Sequence, residues 1–373
     1  MENKLQIKPG ETITIHPLSD RIYHGSYRAK VIDYDNGRLI ISMPYSQGKL
    51  VPLAAGTKVE ASIKDIIFQT QILSRKFGYE KSLVLAAPEP FLPDQRIDSE
   101  PEYAIADTRV ISITSGKGGV GKSSLAINLA ISLSKQGKRV CLVDADLGMA
   151  NIDVLLKMTP KYNLTHIINE GLDIFDVVEE GPENLLVIPG GTGWQDIANL
   201  DDDKFKNLIK AFNKLEQFSD IIIFDTGAGI NRHIINFLLA SDEIILVTTP
   251  EPHAITDAYA MTKTVIDQDK ELPVKLIVNK ASSPQEGKDV GSKISFAARQ
   301  FLGIPIEFLG FIQENQLFSK SVRNQTPVIS SWPYSLPSRE INGLAVNLAG
   351  KKDKNSHRGL VGFVKKLAGF LRN

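Results

Sequence analysis

The stretch Ser115-Gly116-Lys117-Gly118-Gly119-Val120-Gly121-Lys122-Ser123-Ser124 fits the phosphate-loop pattern G-x-x-x-x-G-K-S from Gly116 to Ser123. Its surroundings fit as well. The apolar run Val110–Thr114 reads as a strand leading in. Lys122–Lys135 reads as a helix leading out, with Leu125, Leu129 and Leu133 on one face and Gly137 as a stop. In such a strand–loop–helix the glycines let backbone N–H groups turn inward around phosphate oxygens, and the helix N-terminus adds its partial positive charge. Gly116, Gly118, Gly119, Val120, Gly121 and Ser124 are therefore expected to cradle phosphate. Lys122 reaches the β- and γ-phosphates, and Ser123 offers its hydroxyl to Mg²⁺. A second lysine, Lys117, sits inside the loop. Spacing alone leaves it open between a solvated loop charge and a cation aimed at the ligand.

Outward from the loop, short apolar runs alternate with helix-length segments. They are Val110–Thr114, Arg139–Asp144, Leu185–Pro189, Ile221–Asp225, Glu243–Thr248, Val274–Asn279 and Glu307–Phe311. Ile221-Ile222-Ile223-Phe224 lacks polar alternation, as expected for a strand covered on both faces. The predicted fold is α/β, a doubly wound, mainly parallel sheet. Ligands of such sheets bind at the C-terminal ends of the strands, so acids there face the phosphate crevice. Asp144-Ala145-Asp146-Leu147-Gly148-Met149-Ala150-Asn151 places two acids on one side of an extended chain. They can position water or hold Mg²⁺, with solvated loop acids as the plain alternative. Asp225 closes an apolar run, a Walker B pattern, and is expected in the Mg²⁺ shell. Val278-Asn279-Lys280 ends another strand. An Asn amide both donates and accepts, as an adenine edge requires, although Asn at a strand end is common.

Of 373 residues, Lys+Arg number 43 and Asp+Glu 43, so no global nucleic-acid footprint is present. A 42% hydrophobic content suffices for two or three packed units. The single cysteine, Cys141, excludes an internal disulfide, a zinc ribbon and a cysteine-bound iron–sulfur cluster within one chain. Met1–Gly10 lacks the apolar core of a secretory signal, and no stretch reaches the ~18 apolar residues of a spanning helix. The expectation is a cytoplasmic protein whose membrane contact is peripheral.

Residues 1–95 read as a small all-β barrel, from Thr12–Ile15, Tyr27–Tyr34, Arg38–Met43, Thr57–Ile63, Ile66–Leu73 and Ser82–Leu85. Asp35-Asn36-Gly37 suits a tight hairpin, since Asn and Gly both tolerate positive φ. Residues 96–107 read as a linker, 108–349 as the phosphate-loop domain and 350–358 as a second joint. In 359–373, Leu360, Phe363, Val364, Leu367 and Leu371 share an amphipathic helix stripe that Phe370 widens, with Lys365, Lys366 and Arg372 mainly off it. Such a helix lies among lipid headgroups or packs on its own domain, and spacing leaves both open.

Lys117-Gly118-Gly119-Val120-Gly121-Lys122-Ser123 resembles the deviant Walker A motif of the MinD/ParA ATPases. The resemblance implies an ATP-dependent homodimer in which Lys117 reaches across to the partner's nucleotide. It maps Lys117, Lys122 and Asp146 onto catalysis, with Asp146 orienting the attacking water, and Ser123, Asp146 and Asp225 onto Mg²⁺. It places Asn279 and Lys280 at the base. Thr248–Tyr259 and Asp225-Thr226-Gly227-Ala228-Gly229 look most like the FlhG/FleN branch, ATPases that control flagellar number and placement. That implies flagellar partners, a GTPase or basal-body proteins. No short helical segment of the kind that stimulates the partner GTPase is seen at the start. Tyr27–Tyr34, Leu39–Pro44 and Val51–Gly56 are instead similar to the N-terminal barrel of YcgR-type flagellar brakes. Arg96 is not followed by an Asp/Asn-x-Ser-x-x-Gly run, so no PilZ-type nucleotide site is expected. Gly362–Leu367 resembles the membrane-targeting end of MinD and FlhG, implying anionic lipid at the inner face of the cell membrane. A nucleotide-stabilised scaffold without hydrolysis, and a ParA-type DNA segregation ATPase, stand as the other readings; charge balance and the tail oppose the DNA reading.

Overall fold

The computed structural model describes residues 9–18, 26–35, 38–46, 49–50, 53, 57–63, 66–76, 82–86, 108–146, 151–191, 200–349 and 359–372. The joints 96–107 and 350–358, Arg96, the Asn36-Gly37 turn and residues 147–150 lie outside the described residues. The chain divides into two compact units, Met1–Ala104 and Ile105–Asn373.

In the first unit, β1 (Thr12–Pro17), β2 (Tyr27–Asp35), β3 (Arg38–Ser42), β6 (Lys58–Ile63), β7 (Ile66–Lys76) and β8 (Ser82–Ala86) close a barrel in the order β1-β2-β3-β8-β7-β6. The short strands β4 (Tyr45–Ser46) and β5 (Lys49–Leu50) pair with each other. Alternation explains the closure. Ile13, Ile15, Leu39, Ile41, Val59, Ala61, Leu83 and Leu85 point inward and are buried, while the intervening residues are half-buried, except Val84 in β8, which is buried as well. Asp35 pairs with Arg38, so two residues join β2 to β3.

The second unit is built on an eight-stranded sheet ordered β11-β12-β10-β13-β9-β14-β15-β16. Its strands are β9 (Arg109–Ser115), β10 (Val140–Ala145), β11 (Glu179–Glu180), β12 (Leu186–Ile188), β13 (Ile221–Ala228), β14 (Glu243–Thr248), β15 (Val274–Ala281) and β16 (Glu307–Gln313). All pairs are parallel except β11 with β12. Every apolar run quoted above becomes one of these strands. Both faces are covered, which is why the runs are continuous. On one face Ile111, Ile113, Ile223, Ile245 and Ile277 pack under α1 (Lys122–Lys135) and α11 (Leu336–Ala349). On the other, Val110, Val143, Ile222 and Phe224 pack under α3 (Leu164–Glu170), α5 (Asp202–Gln217) and α12 (Gly359–Arg372). Beside them Leu246, Leu276 and Val278 pack under α6 (Arg232–Ala240), α7 (Pro252–Ile266) and α8 (Pro284–Leu302). Short helices α2 (Ile152–Leu155), α4 (Ile174–Val177), α9 (Gln316–Asn324) and α10 (Val328–Ser331) complete the unit.

The tail helix α12 is part of this core. Leu360, Phe363, Val364, Leu367 and Ala368 are buried, whereas Lys365 is exposed. The Phe363 ring stacks on Phe224 at 4.4 Å between centroids and meets Phe237 edge-on at 5.7 Å. Glu216 at the end of α5 accepts the Val361 N–H at 2.9 Å, and Lys366 lies 3.5 Å from Asp269. The stripe that suits a lipid surface is therefore folded onto its own domain here. Among the described residues no helix is long and apolar enough to cross a membrane.

Candidate nucleotide site

The phosphate loop joins β9 to α1 at the C-terminal edge of the sheet, between β13 and β14. Three of its glycines require the residue type, Gly119 through its φ of +80°. Gly121 has φ +88°, and a Cβ there would lie 2.6 Å from the Asn279 side-chain nitrogen. A Cβ at Gly116 would lie 2.5 Å from the backbone of Asp257 in α7. At Gly118 and Gly119 a Cβ would meet nothing, so the loop backbone there borders open space. Close packing at Gly116 and Gly121, open space at Gly118 and Gly119 and a helix N-terminus beyond them fit a phosphate group.

Lys122 and Asp225 come together. Their side chains are 7% and 1% exposed, and Lys122 Nζ donates to Asp225 Oδ1 at 2.6 Å. Burial pushes the Asp225 carboxyl up from its ordinary range, against the pull of Lys122 and of a hydrogen bond from Ser123. Ser123 and Asp225 thus bring a hydroxyl and a carboxylate, both hard oxygen donors, to one point, which suits Mg²⁺. Asp146 stands close enough to Asp225 to be felt electrostatically. Its Oδ1 is 3.4 Å from where a Gly227 Cβ would stand, so the segment after β10 and the C-terminal end of β13 approach closely. The latter is anchored back on the phosphate-loop strand: Gly229 N–H donates to Ser115 O at 2.9 Å, and Thr226 Oγ1 to Ile113 O at 3.1 Å.

Three placements depart from the sequence expectation or add to it. Asp144 and Asp146 do not sit as a matched pair. Asp144 is 1% exposed and turns onto backbone N–H groups of its own loop. Burial first, then Asp225, push its carboxyl up to about 6 against those donors. Asn279 and Lys280 brace the phosphate loop: Asn279 Nδ2 donates to Val120 O and Lys280 Nζ to Gly119 O, each at 2.7 Å. Lys280 does so from a left-handed backbone, φ +57°. Lys117 does not turn into its own crevice. It is 41% exposed and pairs with Glu251 at 3.0 Å, which holds the Glu251 carboxyl below its ordinary range. Glu251 was not singled out from sequence; the only signal is its place just before α7 in Thr248–Tyr259. His253 is exposed on α7.

Known proteins share these features. A family described as an AAA domain matches residues 108–278, and one described as flagellar protein YcgR matches residues 8–88. The antiactivator FleN of Pseudomonas aeruginosa is 36% identical over 237 residues, covering 64% of this chain and 85% of that one. The flagellum site-determining protein YlxH of Helicobacter pylori is 34% identical over 279 residues, 71% of this chain and 91% of that one. Among solved structures, the septum site-determining protein MinD complexed with Mg-ADP from Pyrococcus horikoshii aligns with TM-score 0.53 and 27% identity, over 66% of this chain and 100% of that one. With the phosphate loop, the parallel sheet and these relatives in agreement, the chain belongs to the MinD/ParA family of P-loop ATPases, as a homologue of the FleN/FlhG flagellar regulators that carries a YcgR-type barrel at its N-terminal side.

Proposed function

We propose that the chain is an ATP-driven switch that regulates the number or placement of flagella. With ATP and Mg²⁺ bound, two copies face each other, and each donates Lys117 to its partner's phosphates. Gly116 to Ser124 wrap the phosphates and Lys122 turns from Asp225 to the β- and γ-oxygens. Ser123, Asp225 and Asp146 would hold Mg²⁺, which would neutralise charge on those oxygens. Asn279 and Lys280, which brace the loop at Val120 and Gly119, would read the adenine edge. Asp146 orients the water that attacks the γ-phosphate, giving ADP and phosphate and ending the dimer's hold.

One observation carries this reading. Of two lysines in one loop, Lys122 is buried on Asp225 while Lys117 faces outward onto Glu251. A cation held there would reach a second copy's phosphates and complete that copy's site only on encounter. Membrane residence follows from the same cycle. The face of α12 now covered by α5 and α6 would leave it on dimerisation and enter the headgroup layer, and two such helices in one particle gain avidity. The relatives' flagellar names and the YcgR-type barrel support flagellar proteins as partners.

The test is phosphate release and vesicle sedimentation by the full chain. ATP turnover, and ATP-dependent sedimentation with anionic vesicles that is lost on removal of residues 359–373, are expected. Absence of turnover with vesicles present would contradict the reading and leave a nucleotide-bound scaffold.

A further inference from the structure

We propose that Asp144 is the positioning residue for Asp146: it ties down both ends of the segment that carries the water-orienting carboxylate, without itself touching nucleotide or metal. The proposal rests on the hydrolytic reading above. Asp144, next to last in β10, lies beside Asp225 in the parallel register, and its side chain folds back on its own loop. Oδ1 accepts the Asp146 N–H at 3.1 Å, and Oδ2 accepts the Asn151 N–H at 2.9 Å and the Ile152 N–H at 3.1 Å. The residue is 1% exposed, so these donors stand in place of water.

The arrangement has a local logic. Helix α2 begins at Ile152, and its N-cap residue Asn151 makes no side-chain cap. The first amides of a helix need an acceptor, and Asp144 supplies one from upstream. The same carboxylate holds the first amide after the strand, that of Asp146. The loop is thereby closed at 144–146 and at 151–152 by one charged acceptor, and hydrogen bonds to an ionised acceptor are the stronger class. With its backbone held, Asp146 presents its carboxylate beside Gly227 and within the field of Asp225. A small displacement there misaligns an attacking water, and rate is more sensitive to such an error than binding is. A turn of Asp144 toward a cation would release three amides at once, so its present contacts compete with a ligand role. The expected parallel pair of acids therefore separates into one that acts and one that aims it.

The experiment compares wild-type full chain with Asp146→Ala and Asp144→Asn, measuring phosphate release, affinity for fluorescent ADP, the Mg²⁺ dependence of that affinity, and the lifetime of the ATP-bound dimer. The expected result for Asp144→Asn is a kcat lower by about ten-fold or more, ADP affinity and Mg²⁺ half-saturation within about two-fold of wild type, and a long-lived ATP dimer like that of Asp146→Ala. Wild-type kcat in Asp144→Asn overturns the proposal while leaving the hydrolytic reading intact. So does a Mg²⁺ half-saturation shifted by about ten-fold, which would make Asp144 a ligand. A wild-type chain without turnover, or full turnover in Asp146→Ala, overturns both together. Should Asp144→Asn melt below the assay temperature, hydrogen exchange in the wild-type chain decides: slow amides at Asp146, Asn151 and Ile152 support the tie, and fast exchange at all three overturns it.

Discussion

Lys117 and Lys122 occupy one loop, and the fold treats them in opposite ways. Lys122 is buried against Asp225, where a charge left without its partner is costly. Truncating Asp225 to Ala should destabilise the protein by about 3–5 kcal/mol, measured by denaturant unfolding, and abolish Mg²⁺-dependent nucleotide binding. Lys117 is held by an exposed pair of flexible side chains, a kind of contact that contributes little and is easily exchanged. Lys117→Ala should therefore leave the melting temperature and ADP affinity near wild type while removing ATP-dependent dimerisation and turnover. Wild-type turnover in that variant defeats the trans-lysine account. Gly121 marks the other sensitive point. Its positive φ and the Asn279 nitrogen 2.6 Å from any added Cβ mean that Gly121→Ala strains the backbone and pushes away the amide bracing Val120. Nucleotide affinity should fall by about ten-fold or more in titrations with fluorescent ADP.

At the scale of elements, the tail helix is the most informative. Phe363 stacks on Phe224, the residue just before Asp225, so the docked tail and the Walker B strand share one packed contact. Emptying that contact with Phe363→Ala should cost the docked state about 3–5 kcal/mol if the helix stays in place. Release of the helix caps that loss, so the account expects more vesicle binding of the ADP-bound chain than in wild type. Unchanged sedimentation together with an unchanged melting temperature would show that the contact does not restrain the tail. This element also shows where legibility in the sequence stops. A stripe of Leu360, Phe363, Val364 and Leu367 has the same spacing whether a sheet or a lipid surface covers it, and only tertiary packing distinguishes them. The barrel and sheet strands were readable because their signals are local, a period of two in one unit and unbroken apolar runs in the other. The phosphate loop was readable for the same reason. Glu251 and the bracing by Asn279 and Lys280 were not, because each depends on what a neighbouring loop presents, and the role of Asp144 was not, because it depends on how its own loop turns back. Parity along an extended chain put Asp144 and Asp146 side by side, but β10 ends at Ala145 and the chain turns before Asp146 can follow.

For the whole molecule, the division of labour follows the two units. Every residue placed at the nucleotide site lies in Ile105–Asn373, and the first unit closes on its own apolar interior. Removing residues 1–104 should leave ADP affinity and basal turnover within about two-fold of the full chain, measured by titration and phosphate release, and should alter only contacts with flagellar proteins. Through dimerisation the second unit would set when the tail is available and the barrel where the switch is delivered. The most direct measurement is the mass in solution, by light scattering, of the Asp146→Ala chain with Mg-ATP, with and without Lys117→Ala. The account predicts a stable dimer for the single variant and a monomer for the double one. A strictly monomeric ATP-bound protein that in its wild-type form hydrolyses at full rate would contradict it.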